Sequence, residues 1–346
     1  MERKSNIEII RILAMFLIVG YHMITNGLVD SSFSYWNEGT LFNKIIASAL
    51  FPAGRIGVML FFMITGYFLF DKDKVSIKKV LYKSLFYIYF TSILFIILQL
   101  SIGIYETGEI DSWKLFIFKN IFTPISSGNN WFVTFYILLL FIIPALNPFL
   151  HSLDKKQFLL ILIFAILISF GINNIFGGIY DYLIQALLYY SYGFFYKKYI
   201  SSKKNIVLGI IVFIFISIIS IYFSYLYFYF QTNSYKYSFI IHYFIKTFCV
   251  TITSLSIFYI FDSFKNINNK CINKLATATL SVYLLHGSIF QQFLWNNIVK
   301  VKKIYNLNSF PLLLLLWILI IYFICFIIDS LINKLFFRNI QKREKA

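Results

Sequence analysis

The first apolar segment, residues 6–27, constrains the fold of this chain more than any other stretch. About 20 apolar residues suffice for a helix to cross a bilayer, and this segment is long enough. It also contains three ionisable side chains, Glu8, Arg11 and His22, which a helix that only anchors a protein would leave out. The segment therefore predicts a membrane helix that does more than anchor.

The three ionisable side chains share one side of this predicted helix. At about 100° per residue, the step from Arg11 to His22 covers about three helical turns. The two side chains therefore lie on the same face of the helix, roughly 16 Å apart along its axis. Glu8 precedes Arg11 by about one turn and is well placed to pair with it. Two alternatives stay open. Arg11 is near enough to the helix start to reach the water interface, and His22 can be a packing residue.

The composition is that of a multi-span membrane protein. Of the 346 residues, 60% are hydrophobic and only 13% are charged, a balance that soluble domains do not have. The three cysteines (Cys249, Cys271 and Cys325) provide neither a disulfide framework nor a metal-ligand spacing. We therefore expect no metal, and we expect no soluble extension because every polar stretch is short.

Ten apolar segments follow one another along the chain. They predict an all-α integral membrane protein, a bundle of about ten transmembrane helices that forms a single domain over residues 1–346. Residues 42–51, which precede a breaker-rich stretch at 52–57, are interpreted as an interfacial helix. The predicted spans are residues 6–27, 52–70, 80–103, 131–150, 157–175, 180–196, 205–230, 238–261, 276–298 and 310–332.

The distribution of Lys and Arg predicts the orientation of this bundle. With a cytoplasmic N-terminus, 20 of the 31 basic residues fall in cytoplasmic segments and 7 in external ones. This bias follows the positive-inside rule and supports ten spans in the cell membrane with both termini cytoplasmic. The net charge of +17 is thus mostly an orientation signal. We expect membrane lipids as partners and no nucleic acid.

Further polar residues lie inside the predicted spans. His286 falls near the middle of the ninth span, with Tyr283 one turn earlier on the same face. A lone intramembrane histidine is often a packing residue, but two of them in different spans favour function. Arg55 either marks the outer end of span two or faces a cavity. Lys246 and Asp329 are intramembrane charges whose partners the sequence does not reveal, and they receive no role.

Four stretches together resemble acyltransferase family 3, the multi-span membrane acyltransferases of bacterial surface polysaccharides. They occur in the order of that family and extend along the whole chain. The stretches are Arg11 and His22 with ten intervening residues, GVMLFFMITGYFL at 57–69, Asn130-Trp131-Phe132 with the run to Pro144-Ala145-Leu146-Asn147, and Ser281-x-Tyr283-Leu284-Leu285-His286.

The resemblance implies an enzyme, a membrane O-acetyltransferase. Its donor would be cytoplasmic acetyl-CoA, with succinyl as the alternative acyl group. Its acceptor would be a hydroxyl of an extracytoplasmic or lipid-linked polysaccharide. Catalysis would fall to His22, either as a general base or as a transient acyl carrier, while Arg11 guides the donor.

The resemblance also implies where the donor phosphates bind. Members of the family often carry an Arg pair near the start of the third span. Here that region contains Lys78, Lys79 and Lys83, which we assign to the phosphates. This is a departure from the family pattern, because Lys neutralises phosphate but cannot form the bidentate fork of Arg.

Other residues are expected to support the reaction. Glu8 would pair with Arg11 or release it, and His286 and Tyr283 would lie near the acceptor or the thioester carbonyl. Trp131 would either stack on a sugar or belong to the aromatic belt at the membrane surface. Arg55 is assigned to the acceptor side. The oligomeric state is left open.

Two other classes of function compete with acyl transfer. A transporter or flippase for the same glycan would use the intramembrane charges as a path, and an inverted repeat or paired broken helices would favour it. A glycan polymerase would be expected to carry a larger external loop than residues 104–130. The sequence shows none of these features.

Overall fold

The computed structural model describes residues 4–29, 34–72, 75–102, 122, 130–172, 178–201, 205–233, 235–287 and 290–337. Within these ranges the protein is all-helical. The helices are α1 (Ser5–Gly27), α2 (Ser34–Glu38), α3 (Leu41–Leu50), α4 (Ala53–Leu69), α5 (Lys78–Ile102), α6 (Trp131–Ser152), α7 (Lys155–Ile172), α8 (Gly178–Tyr199), α9 (Ile206–Asn233), α10 (Tyr235–Phe244), α11 (Val250–Ser263), α12 (Lys270–Thr277), α13 (Thr279–His286), α14 (Val301–Tyr305) and α15 (Phe310–Ile332).

Seven helical stretches of the described residues are long and apolar enough to cross a membrane. The protein is therefore a multi-pass membrane protein, as predicted, while the count of ten spans and the cytoplasmic termini stay predictions. The predicted interfacial helix corresponds to α3, which continues into α4 after a short turn. The seven stretches are Ser5–Gly27, Leu41–Leu69, Lys78–Leu98, Trp131–Ser152, Ile206–Gln231, Tyr237–Ser263 and Phe310–Phe336.

Helix α1 lies inside the bundle. It packs against α3, α4, α11, α12, α13, α14 and α15. In the most apolar part of α1, 56% of the residues are buried, whereas in the corresponding part of α9 only 17% are buried. The outward face of α9 exposes Val207, Phe215 and Ile218. An apolar outward face suits lipid contact. The ionisable side chains of α1 therefore belong to the helix that is surrounded by protein.

Close backbone contacts hold α4 between α1 and α8. A Cβ atom at Gly66 would overlap the carbonyl oxygen of Tyr190, and one at Gly193 would overlap that of Met63. Gly57 meets the backbone of α1 in the same way. Small residues let membrane helices approach closely and gain dispersion contacts. Helix α4 is thus the frame against which α1 is positioned.

Asn147 secures the C-terminal end of α4. Its Nδ2 donates to the carbonyl oxygens of Leu69 at 2.8 Å and Lys72 at 3.0 Å, and its Oδ1 accepts from the Tyr190 hydroxyl at 2.6 Å. The last carbonyls of a helix need such partners. The Pro-Ala-Leu-Asn stretch of α6 therefore has an architectural role that links α4, α6 and α8.

Four helix ends meet at Asp262. The hydroxyls of Tyr67 and Tyr196 each donate to its carboxylate at 3.3 Å, and Lys4 Nζ donates to the Tyr67 hydroxyl at 3.0 Å. Lys4 precedes α1, whereas the other three residues lie near the C-terminal ends of α4, α8 and α11. Helix α1 therefore runs opposite to these three helices, which is the alternation of direction that the predicted spans require.

The predicted span 276–298 is divided in the structure. Helix α12 ends at Thr277, α13 ends at His286, and a single turn (Gln291–Phe293) and a π-helical turn (Leu294–Ile298) follow. Non-helical backbone at membrane depth is tolerated where it is buried in protein or lines a cavity. Residues of α12 and α13 do line a cavity.

Candidate functional site

The ion pair predicted at the start of α1 is present. Arg11 Nη1 lies 2.9 Å from Glu8 Oε2, and the two residues are three positions apart on the helix. The Glu8 side chain is almost completely buried, whereas 26% of the Arg11 side chain is exposed. Arg11 is thus charge-compensated within α1, and its exposed part lines a cavity.

His22 and His286 are in direct contact. The Nδ1 atom of His22 lies 3.0 Å from Nε2 of His286, and Nδ1 of His286 lies 2.5 Å from the carbonyl oxygen of Val282. Because a carbonyl only accepts, Nδ1 of His286 carries a hydrogen, and in a neutral ring its Nε2 is the acceptor. His22 then donates from Nδ1, and its own Nε2 retains a lone pair.

The two histidines differ in access. His286 is buried, with 2% of its surface exposed, whereas His22 is half-buried. The less buried residue, His22, is therefore the one whose Nε2 is free to accept a proton or attack an electrophile. The buried His286 ring fixes the orientation of the His22 ring.

A cavity of about 720 Å³, here the inner cavity, lies beside the first half of α1. Its wall combines apolar and aromatic side chains with several cations. This volume falls within the usual range of small-molecule sites. The cationic lining residues are Arg11, Lys79, Lys83 and Lys274, and the apolar and aromatic ones include Met15, Phe61, Phe132, Tyr136 and Phe326.

The lysines assigned to the donor phosphates occupy different positions. Lys79 and Lys83 line the inner cavity, whereas Lys78 is exposed and does not line it. Lys274 of α12 joins them from the other side. The sequence analysis counted Lys274 only among the lysines predicted to be cytoplasmic. Its position shortly before the His286 stretch was the available signal.

Asp329 has partners that the sequence did not reveal. Its Oδ1 accepts from the hydroxyls of Tyr87 at 2.6 Å and Ser281 at 2.5 Å and lies 3.0 Å from Nζ of Lys83. A buried carboxylate is tolerated when such bonds satisfy it. This network joins α5, α13 and α15 on the wall of the inner cavity.

Lys246 lies elsewhere, in the π-helical turn Ile245–Cys249, with Nζ 5.6 Å from the ring centre of Tyr243.

Tyr283 connects the inner cavity with the histidine pair. Its ring lines the cavity, and its centroid is 5.0 Å from that of Phe132 and 6.4 Å from that of His286. The cavity therefore reaches to within about one helical turn of the pair.

Arg55 and Trp131 come together at the N-terminal ends of α4, α6 and α8. Arg55 Nη1 donates to Gln185 Oε1 at 2.7 Å, and its guanidinium lies 5.4 Å from the Trp131 ring centre and 5.0 Å from that of Tyr182. The two rings stack at 4.3 Å. Trp131 therefore packs within a protein cluster rather than only at a lipid interface.

This cluster adjoins the histidine pair through α1. A Cβ atom at Gly54, which precedes Arg55, would overlap the ring of Tyr21, the neighbour of His22 in the chain.

Across the part of the chain that the structure describes, no group of three His, Cys, Asp or Glu side chains is arranged to hold a metal ion.

Comparison with protein-family models gives a match over most of the chain. A family model described as an acyltransferase domain matches residues 4–332, nearly the whole chain. A search of curated proteins and a search of solved structures found no match.

Proposed function

The chain belongs to acyltransferase family 3, and we propose that it transfers an acetyl group from cytoplasmic acetyl-CoA to a hydroxyl of an extracytoplasmic or lipid-linked polysaccharide. Family membership makes the protein a membrane acyltransferase. The donor, the acceptor and the cell membrane as its location are the proposal. One observation carries it: the His22–His286 pair lies about one turn beyond a cation-lined cavity.

The inner cavity suits a donor that is anionic at one end and apolar near the thioester. Lys79 and Lys274 are exposed cations on its wall and would bind CoA phosphates as point charges. Arg11 lies on α1 between the start of the helix and His22, where it would hold the donor deeper. Its pairing with Glu8 fixes the position of the guanidinium.

His22 would act at the reacting centre through Nε2. This nitrogen accepts the proton of the acceptor hydroxyl while the hydroxyl oxygen attacks the thioester carbonyl carbon. The carbon–sulfur bond then breaks, and the thiolate takes the proton from His22, which leaves CoA thiol and an O-acyl ester. Transfer through an acyl-His22 intermediate would use the same nitrogen.

His286 would be a positioning residue. When His22 is protonated, its Nδ1–H donates to Nε2 of His286, whose other nitrogen is fixed by the Val282 carbonyl. The pair thus holds His22 in one tautomer, as a hydrogen-bonded partner does for other catalytic histidines. Arg55 and Trp131 would face the acceptor side.

The test compares surface glycan from cells that express the wild type, His22→Ala or His151→Ala at equal levels with glycan from a deletion strain. His151 is the control because it lies at the end of α6 against Phe70, apart from the pair. Alkali-labile acyl esters are quantified by mass spectrometry. We expect the deletion to lose the esters, His22→Ala to reduce them about 100-fold or more, and His151→Ala to keep them.

Two results would contradict the proposal. Full esterification in His22→Ala cells would remove His22 from catalysis. Normal esters on missing or shortened glycan in the deletion strain would indicate transport or polymerisation.

A second comparison tests His286: His286→Leu should lower the transfer rate more than His286→Gln, which retains a carbonyl acceptor. Equal rates in the two variants would refute the positioning role.

A further inference from the structure

We propose that a second cavity, at the end of α1 beyond His22, binds an acidic glycan through its carboxylate or phosphate groups. This inference rests on the proposed function and specifies its acceptor. The cavity, here the outer cavity, has a volume of about 620 Å³. Its lining includes three lysines and three asparagines, namely Lys300, Lys302, Lys303, Asn296, Asn297 and Asn306.

The outer cavity adjoins both segments that carry the histidine pair. Val301 lines it and packs so closely on α1 that a Cβ atom at Gly27 would meet the Val301 side chain. Gly27 follows His22 by about 7.5 Å along the helix axis. Asn296 and Asn297 belong to the π-helical turn that comes shortly after His286. A glycan held there would lie beyond His22 along α1, on the side away from the inner cavity.

The lysines of this cavity oppose the charge bias of the rest of the chain. The segments predicted to be external contain 7 of the 31 basic residues, and three of these 7 lie at positions 300, 302 and 303. External lysines weaken the orientation signal that the cytoplasmic ones provide. Membrane orientation therefore does not explain why three lysines are concentrated in one cavity. Attraction of an anionic ligand explains it directly.

The backbone at Lys300 is also unusual. Its φ of 55° and ψ of 54° place it in the left-handed region, and it is the one non-glycine residue among those described that has a positive φ. Glycine, asparagine and aspartate adopt this conformation far more readily than lysine does. Such outliers concentrate at functional sites. Here the sequence has a cation where glycine would fit with less strain.

The remaining lining matches a sugar chain better than an isolated phosphate. Asparagine amides both donate and accept hydrogen bonds, as sugar hydroxyls do. Tyr35 adds an aromatic ring, with Lys302 Nζ 3.8 Å from its centre. One carboxylate is near, since Asn306 donates to Glu38 at 3.4 Å, but three lysines outnumber it. The net charge favours an acidic glycan over a neutral one.

The experiment measures binding of two probes to the purified full chain in phosphatidylcholine nanodiscs. The probes are an oligogalacturonate of defined length and a neutral maltooligosaccharide. The test variant is Lys300→Asn/Lys302→Gln/Lys303→Gln, because asparagine tolerates the left-handed conformation. The matched control is Lys155→Gln/Lys265→Gln/Lys270→Gln, which removes three exposed lysines outside the cavity.

We expect the test variant to raise the Kd for oligogalacturonate about tenfold, whereas the control variant binds like the wild type. The difference should shrink in high salt because Lys300 and Lys303 are exposed. Equal affinities of wild type and test variant would overturn the proposal. So would a test variant that keeps oligogalacturonate binding but retains less phosphatidylglycerol from mixed nanodisc lipid, since the lysines would then hold a lipid headgroup.

Acyl transfer measured on the same samples separates this inference from the proposed function. Transfer to glycan with binding that does not depend on the three lysines would overturn the inference alone. Lysine-dependent binding without any transfer by the wild type would overturn the proposed function alone. His22→Ala should leave oligogalacturonate binding unchanged, which separates binding from chemistry.

Discussion

The inner and outer cavities at the two ends of α1 both contain several cations, but these cations have different surroundings. In the inner cavity Arg11 pairs with Glu8 and Lys83 pairs with Asp329, and both carboxylates are buried. In the outer cavity Lys300 and Lys303 are exposed to solvent. The inner cavity thus combines two ion pairs on buried carboxylates with the exposed Lys79 and Lys274, whereas the outer cavity presents exposed lysines.

The difference indicates two uses of charge in one protein. A buried ion pair is costly to break, so it fixes the helices that contribute to it. Exposed cations contribute little to stability, but they attract anionic ligands and are screened by salt. Mutations in the inner cavity should therefore affect folding and donor binding, while those in the outer cavity should affect acceptor binding alone.

The largest expected effect concerns the Asp329 network. Asp329→Leu removes the partner of Lys83 and leaves a cation in a mostly buried position, which should lower stability by about 3 kcal/mol. The apparent melting temperature in detergent, followed with a dye that reacts with the buried thiols of Cys249 and Cys325, should fall by several degrees.

The control for this prediction is the double variant Lys83→Met/Asp329→Leu. It removes both charges and should recover part of the lost stability, since the coupling belongs to the pair. A double variant that is less stable than Asp329→Leu by the full effect of Lys83→Met would show that the two residues act independently.

The next effect comes from blocking the inner cavity. Thr277 is exposed and lines the cavity, so Thr277→Trp should obstruct the donor and lower acyl transfer about 100-fold without unfolding the protein. Cys271→Trp places the same side chain on an exposed position of α12 outside the cavity and should have little effect. Similar losses in both variants would remove the inner cavity from donor binding.

A smaller effect separates two neighbouring lysines. Lys79 lines the inner cavity and Lys78 does not. Lys79→Gln should therefore raise the KM for acetyl-CoA about tenfold, the scale of one hydrogen bond to a charged group, whereas Lys78→Gln should leave it almost unchanged. Steady-state kinetics on the purified variants measures both. An equal rise in the two would mean that general surface charge, rather than the cavity, binds the donor.

The smallest effect is expected for a single lysine of the outer cavity. Lys303 is exposed, so Lys303→Gln should weaken oligogalacturonate binding only about twofold. Repeating the titration at high salt should abolish the difference. A loss that persists in high salt would indicate a buried, directional contact and would make the two cavities more alike than the structure implies.

The helices with long apolar runs could be predicted closely from the sequence. The predicted span 310–332 coincides with α15, and the predicted start at Trp131 is the start of α6. The division of span 276–298 was not predicted, although Gly287 and the two glutamines Gln291 and Gln292 interrupt its apolar run. Tertiary contacts support that break: the Tyr322 hydroxyl donates to the Leu275 carbonyl at 3.1 Å, at the end of α12.

The candidate site was predictable where it depends on one helix. The spacing of Glu8, Arg11 and His22 follows from helical periodicity, and the Glu8–Arg11 pair is present as predicted. Contacts between helices were not predictable. His22 and His286 are 264 residues apart, and a single sequence contains no signal for their distance in space. The partners of Asp329 were hidden for the same reason.

The Glu8–Arg11 pair and the His22–His286 pair become complete at different times during synthesis of the chain. Glu8 and Arg11 neutralise each other within one turn, so α1 enters the membrane already compensated. His22 must wait for a partner that is synthesised 264 residues later, about 13 to 53 s at ordinary translation rates. Under the proposed mechanism, a nascent chain is therefore inactive until its synthesis is nearly complete, and it acquires its chemistry at the end of its own assembly.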